Sequence, residues 1–152
     1  MTQLLFEKWN KSNFNERITK IKACAFNCAA FTEKEKVYVW GNTANGKMGV
    51  SRDNIEVPTE VCWQEKELDA DGVELRTVIM KDEGKRPVNA ITKIRCIEWG
   101  EEHGLLLDRK GRLFAMGRTN YGLLGLEDRE FNEIVTNPKQ ITFNLPKAGS
   151  SN

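Results

Sequence analysis

The chain has 152 residues, of which 30% are charged, and carries a formal net charge of +1 at pH 7. That length can bury one core rather than the cores of two domains. A near-neutral balance supplies neither a basic field for nucleic acid nor an acidic tail, and no apolar run approaches the roughly 20 residues that cross a membrane.

The opening residues, MTQLLFEKWNKSNFNERITK, lack the basic start and long apolar centre of a signal peptide. A soluble, intracellular protein, cytoplasmic or nuclear, is therefore expected, and the sequon Asn10-Lys11-Ser12 is incidental. Within residues 1–17, Thr2–Phe6 is apolar enough for a flanking outer strand. A strand follows at Ile18–Cys24. Cys28–Phe31 and Val37–Trp40 are apolar runs joined by a polar turn, Thr32–Lys36. Runs of four are too short for helices and, bounded by turn residues, predict a hairpin. Another strand is expected at Pro58–Val61, where a proline at a strand start is tolerated.

Cys62–Ala90 is different in kind. Val73-Glu74-Leu75-Arg76 alternates apolar and polar, as an exposed strand does, with turn chemistry on both sides at Asp69–Gly72 and Glu83–Pro87. A protruding hairpin or strand–loop excursion is expected. After it the first pattern returns: a strand at Ile94–Trp99, a hairpin of Gly104–Leu107 and Leu113–Met116 around Asp108–Gly111, and a strand at Pro138–Ile141. Lys147–Asn152 is polar and reads as a frayed tail.

The return is a repeat. Ile21–Val50 and Ile97–Leu126 align without a gap at an offset of 76 residues (97 − 21 = 76), with Ile21, Lys34, Gly41, Thr43, Gly46 and Gly49 identical in the second copy. Glycines kept at a fixed offset mark backbone positions that tolerate no Cβ. Repeats of this kind imply units that must stack to bury a core.

The pattern resembles the repeat of the regulator of chromosome condensation family, of the form I-x-x-G-x-x-H-x-x-x-L-x-x-x-G-x-V-Y-x-W-G-x-N-x-x-G-x-L-G. The second copy carries Ile97, Gly100, His103, Leu107, Gly111, Leu113, Phe114, Gly117, Gly122, Leu124 and Gly125 of it. The first carries Ile21, Phe31, Val37, Tyr38, Trp40, Gly41, Asn42, Gly46, Met48 and Gly49, and departs at Cys24, Asn27 and Glu35; the second departs at Met116. The resemblance covers Ile18–Val61 and Ile94–Phe143. It implies an all-β fold: two blades of a β-propeller made of short antiparallel strands, in an incomplete ring with an interblade insertion. Residues 1–17 would be a flanking strand, 18–61 and 91–143 the blades, 62–90 the insertion and 144–152 the tail. A seven-bladed ring would need roughly 350 residues. The remaining blades would lie in a longer protein or in other chains, or the flanking segments would cap the pair.

No catalytic constellation emerges. His103, the sole histidine, has no nucleophile or base partner, and its place in G-x-x-H makes it architectural, with its ring orienting a turn through hydrogen bonds. Adjacent strand residues point to opposite faces, so Glu101 and Glu102 cannot readily converge on a substrate. The G-x4-G-x2-G glycines lack the Lys-Ser/Thr of a phosphate loop and read as turn and bulge geometry. Cys24, Cys28, Cys62 and Cys96 offer no paired metal-ligand spacing and read as reduced thiols packed as small hydrophobes. No metal or cofactor is expected.

The expectation is a non-enzymatic protein-interaction module, part of a larger propeller or of a multiprotein assembly. The family resemblance alone implies the alternative of guanine-nucleotide exchange on a small GTPase, and a structural subunit is a third reading. Candidate partner-binding residues are Trp63, as an exposed aromatic anchor, with Val73, Glu74, Arg76, Lys85 and Arg86 of the insertion. The Gly41–Gly49 and Gly117–Gly125 loops join them. Gly41, Gly46, Gly49, Gly100, His103, Gly111, Gly117, Gly122 and Gly125 are structural repeat positions. Self-association to complete the ring is a further expectation.

Overall fold

The computed structural model describes residues 16–50, 54–68, 72–80, 90–91, 93–126 and 133–143. The strand expected at Thr2–Phe6, the residues Lys85 and Arg86, and the tail Lys147–Asn152 lie outside these. The described chain is built from ten strands: β1 (Ile18–Cys24), β2 (Asn27–Thr32), β3 (Val37–Gly41), β4 (Ile55–Leu68), β5 (Gly72–Ile79), β6 (Ala90–Ile91), β7 (Ile94–Trp99), β8 (His103–Asp108), β9 (Leu113–Arg118) and β10 (Ile134–Gln140). Two single 3-10 turns, Ala44–Gly46 and Asn120–Gly122, follow β3 and β9.

Each repeat folds into a four-stranded antiparallel blade, β1-β2-β3-β4 and β7-β8-β9-β10. The register repeats with the sequence: Cys28 faces Trp40 in the first hairpin, and Gly104 faces Met116 in the second. The fourth strands follow suit, Ile55 opposite Gly41 and Val135 opposite Gly117. Their offset is 80 residues (135 − 55 = 80), so Pro58 and Pro138 are equivalent.

The described part of the insertion is a hairpin laid into the sheet. β4 runs unbroken from Ile55 to Leu68, across the expected boundary after Val61. β5 folds back along it from the Leu68/Gly72 pair to the Val61/Ile79 pair. The other edge of β5 meets β10, with Glu74 opposite Lys139. The excursion thus becomes a seam between the outer strands of the two blades. The physical reason is that the outer edges of β4 and β10 would otherwise leave rows of unpaired N–H and C=O groups. Alternation along β5 suits the position, since Leu75 is buried in the core and Arg76 faces solvent.

The sheet therefore runs β1-β2-β3-β4-β5-β10-β9-β8-β7, with β6 alongside β4. The blades face each other across a shared core that takes Phe31, Val37, Val39, Met48 and Val50 from the first and Ile97, Trp99, Leu106 and Phe114 from the second. Trp63 and Leu75 of the insertion close it from the outer side. Trp63 is only 2% exposed, so it is no surface anchor: its strand position points it inward, and its indole is the largest group filling the gap under the seam.

Candidate interaction surfaces

The inner ends of the sheet meet through side chains rather than through a ladder. Lys20 Nζ donates to the carbonyl of Arg95 at 3.0 Å, Lys22 pairs with Glu98, and Cys24 Sγ donates to the carbonyl of Trp99 at 2.9 Å. The hydrogen bond from Lys22 holds the Glu98 carboxyl below the usual carboxylate range against a smaller opposing effect of burial. The same bond raises Lys22.

Cys24 is available for this contact because the repeat has changed at two places together. In the second blade the His103 ring lies over position 100, where a Cβ would sit 2.3 Å from the imidazole, so only glycine fits. The turn is closed by the Gly100 N–H donating to the His103 carbonyl at 2.9 Å. His103 thus acts by packing and through its backbone, whereas the expectation was ring hydrogen bonds. In the first blade Asn27 replaces the histidine. Its Nδ2 donates to the Asn42 carbonyl and approaches Met48 Sδ at 3.0 Å. With no ring over position 24, a side chain is tolerated there.

The Gly41–Gly49 loop is an internal contact and not a free face. A Cβ at Gly46 would lie 3.1 Å from Ile134 Cγ2, and one at Gly49 only 2.4 Å from Thr77 Oγ1. The carbonyl of Lys47 accepts the Trp99 indole N–H at 3.0 Å, and a Cβ at Gly104 would meet that carbonyl at 2.5 Å. Lys47 Nζ donates to the Glu101 carbonyl at 3.2 Å, and Asn45 lies against Glu102 and Arg118. The first blade thus plugs its loop into the second.

The Gly117–Gly125 loop has the same backbone, but among the described residues no such socket surrounds its glycines. Gly46 and Gly122 have φ of +66° and +68°, yet a Cβ at Gly122 would meet nothing within 4 Å. Tyr121 is 86% exposed and Leu123 46%. Below the loop, Ala115, Leu124 and Val135 form a separate small cluster with Leu105, Leu126 and Ile141 half-buried around it. Their first-blade equivalents Ala29, Val39, Met48, Val50, Ile55 and Val61 all lie in the main core. At the opposite end, Ile97 is 1% exposed while its equivalent Ile21 is 72% exposed. Among the described residues, Ile21 of the first blade and Tyr121 and Leu123 of the second are thus large apolar groups on the surface.

Arg112 ties the blades at the turn end. Its Nε reaches the buried Asp108 carboxylate at 2.7 Å, and its Nη2 reaches Glu65 of β4. Burial would lower the Arg112 pKa, but these two carboxylates raise it. Asp108 also accepts the N–H groups of Lys110 and Arg112 at 2.9 and 2.8 Å, which fixes the turn containing Gly111.

The insertion residues divide by face. Val73 packs against the core, Glu74 is held by Lys139 and Asn137, and Arg76 is exposed. Among the described residues no group of three His, Cys, Asp or Glu side chains could hold a metal. No described helix is long and apolar enough to cross a membrane. Phe26 was not singled out in the sequence, Ile21 was read only as a repeat position, and Tyr121 and Leu123 only as part of the Gly117–Gly125 loop. The signal was there: the two loops differ by Asn45/Tyr121 and Lys47/Leu123.

No family model matches the sequence, and no curated protein does. Solved structures do. Yeast RCC1 (Prp20), crystallised bound to Kap60, superposes with a TM-score of 0.54 at 22% identity over 88% of this chain. Prp20p from Saccharomyces cerevisiae, in a structure whose description concerns binding to Gsp1p and histones, gives 0.42 at 17% identity, covering 90% of this chain and 41% of that one. Human WBSCR16 gives 0.39 at 15% identity, covering 86% of this chain and 41% of that one. This chain spans 27% of the length of the Kap60-bound RCC1. The fold is that of two blades of an RCC1-type β-propeller in an incomplete ring.

Proposed function

We propose that the chain is a non-enzymatic protein-interaction module, a two-blade portion of a propeller that works inside a larger propeller or a multiprotein assembly. The observation that carries this is a set of large apolar side chains on the surface, Ile21 and Phe26 in the first blade and Leu123 in the second. Exposed apolar groups clustered on faces, rather than scattered singly, mark surfaces that receive another protein. That yeast RCC1 was crystallised with Kap60 supports a protein as the kind of partner.

A photo-crosslinking side chain placed in turn at Ile21, Arg76 and Tyr121 in cells tests the reading. A protein adduct of discrete mass from at least one site is expected. Adducts from none of the three would end it. Guanine-nucleotide exchange on a small GTPase is the second reading, carried by the fold and the repeat resemblance. Such factors act by differential binding, so it needs no catalytic group. A nucleotide-release assay that shows no acceleration by the purified chain discards it.

A further inference from the structure

Asn45-Gly46 is the one Asn-Gly step in the sequence, and it lies in the loop that the first blade plugs into the second. Its counterpart one repeat on is Tyr121-Gly122. Asparagine before glycine brings together a side-chain amide carbon, Cγ, and a main-chain nitrogen that no neighbouring side chain shields. Joined, the two close a succinimide ring, which is a physical reason for the thermal lability of asparagine.

The fold holds the reacting atoms apart. Asn45 has φ +61° and ψ +20°, which turns the Gly46 nitrogen away from the Asn45 side chain. Arg118 Nε donates to Asn45 Oδ1 at 3.0 Å, and Asn45 Nδ2 lies 3.5 Å from Glu102 Oε1, so the amide is tethered to the second blade. Ring closure therefore requires the loop to leave its seat. Asn45 is only half-buried, so water reaches it.

The seat has no room for another main-chain atom. From Gly46 to Val50 the loop is buried. A Cβ at Gly46 would lie 3.1 Å from Ile134 Cγ2 and 3.3 Å from Thr136 Cα, and one at Gly49 only 2.4 Å from Thr77 Oγ1. A methylene inserted into the chain at position 45 would push each of these glycines against those atoms, and packing of this density does not absorb it.

We infer that Asn45 is a deamidation site gated by the blade–blade joint, and that its isoaspartyl product cannot reseat the loop. When the loop lifts out, the Gly46 nitrogen attacks Asn45 Cγ. A C–N bond forms, the Cγ–Nδ2 bond breaks, and the amide nitrogen leaves as ammonia with the Gly46 N–H proton. Water then opens the ring. Cleavage between the Gly46 nitrogen and Cγ gives aspartate on an unchanged main chain. Cleavage at the main-chain carbonyl of residue 45 gives isoaspartate, whose main chain runs through Cβ and Cγ and is a methylene longer. Aspartate tolerates the left-handed conformation and keeps an acceptor for Arg118, so that product reseats. Isoaspartate does not, and the opening becomes permanent. This goes beyond the interaction-module reading and stands independently of it.

Incubation of the full 152-residue chain at mildly alkaline pH, followed by the mass of the peptide containing residue 45, tests it. Conversion should be slower in the folded chain than in urea, because its rate follows the fraction of chains with the loop open. Trp99→Phe removes the indole donor to the Lys47 carbonyl and should speed conversion of the folded chain about fivefold, the worth of one hydrogen bond. Lys47→Met, which removes the donor to the Glu101 carbonyl, serves if Trp99→Phe does not fold. The isoaspartyl chain, separated by chromatography, should unfold at a lower urea concentration than fresh protein, whereas Asn45→Asp, which reproduces the other product, should stay close to it.

Four results overturn the inference: an Asn45 that stays an amide in the folded chain while the urea-unfolded chain converts completely, equal rates in the two, a rate indifferent to both variants, or an isoaspartyl chain as stable as Asn45→Asp. None of them touches the cellular crosslinking, so the interaction-module reading stands or falls separately.

Discussion

Gly49 and Gly125 offer a matched measurement of the blade–blade contact. Both are left-handed, with φ of +73° and +60°. Alanine at either pays the same backbone cost, about 1 kcal/mol. They differ in what surrounds the added methyl. At Gly49 it would lie 2.4 Å from Thr77 Oγ1 and 3.1 Å from Met116 Sδ, whereas at Gly125 the nearest atom is Ile141 Cγ2 at 3.6 Å. Thr77 sits on the seam strand and Met116 is buried in the second blade, so both side chains must shift within packed surroundings. Overpacking of this kind costs about 1–3 kcal/mol. Gly49→Ala is thus expected to lose about 2–4 kcal/mol and Gly125→Ala about 1 kcal/mol. Urea unfolding measures both losses. With a slope of about 2 kcal/mol per molar urea, the two midpoints should differ by about 1 M. Equal losses in the two variants would mean that the first loop is not seated in the second blade, and the stacked arrangement would be wrong.

Other expected outcomes bear on the core, the turns and the inner seam. The Trp63 indole N–H is buried with no acceptor among the described residues. Trp63→Phe should therefore cost under about 1 kcal/mol, against about 3–5 for Trp63→Ala, by urea unfolding. Asp108→Ala removes the acceptor for two turn N–H groups and one partner of Arg112. It should destabilise by about 3 kcal/mol, and Arg112→Ala by less, because Arg112 keeps some solvent contact. The Lys22–Glu98 contact should respond to pH in a defined direction. Glu98 is depressed in the fold, so its contribution is full above the ordinary carboxylate range and is lost as pH falls through its lowered value. Lys22 is raised, so its part persists to alkaline pH and is lost only above the ordinary lysine value. Glu98→Gln should flatten the acid limb of a stability–pH profile slightly, since both groups are largely in water; an unchanged limb would mean that the pair contributes nothing.

The strands were legible because their signal is local. Every four-residue apolar run became a strand, and the equal spacing of Gly41/Gly117 reflects a shared need: a Cβ would lie 2.1 and 2.4 Å from the carbonyls of Phe26 and Glu102. What was not legible depends on long-range pairing. The alternation in Val73–Arg76 says that one face is buried but not against what, and the partner of β5, at Glu74 opposite Lys139, is 65 residues away (139 − 74 = 65). Trp63 misled for the same reason: a tryptophan beside an insertion looks exposed until the insertion folds back. Glu35 was noted as a departure from glycine and does hold the left-handed conformation of Gly111, at φ +62°, with its carboxylate 3.1 Å from Arg109. The expectation of partner-binding loops divided in two, since one loop is internal and the other open.

The departures from the repeat are not scattered decay. Cys24 and Asn27 change together, because a ring removed from over position 24 makes room for a thiol that then reaches the Trp99 carbonyl. Tyr121, Leu123, Ala25 and Phe26 change together in polarity relative to Asn45, Lys47, Glu101 and Glu102. The first set sits on the inner seam between β1 and β7, and the second compares the internal loop contact with its exposed equivalents. Within the strands the interior stays apolar: Val37, Val39, Ile97, Leu106 and Phe114 are buried, and Met116, which departs from the repeat's tryptophan, is buried too. Stacked units share their interior chemistry and differ at their joints, because the joint alone decides which neighbour is accepted. In this chain the joint between the two blades is polar, with Asn45 against Glu102 and Lys47 on the Glu101 carbonyl, while the equivalents Phe26 and Leu123 are apolar and exposed.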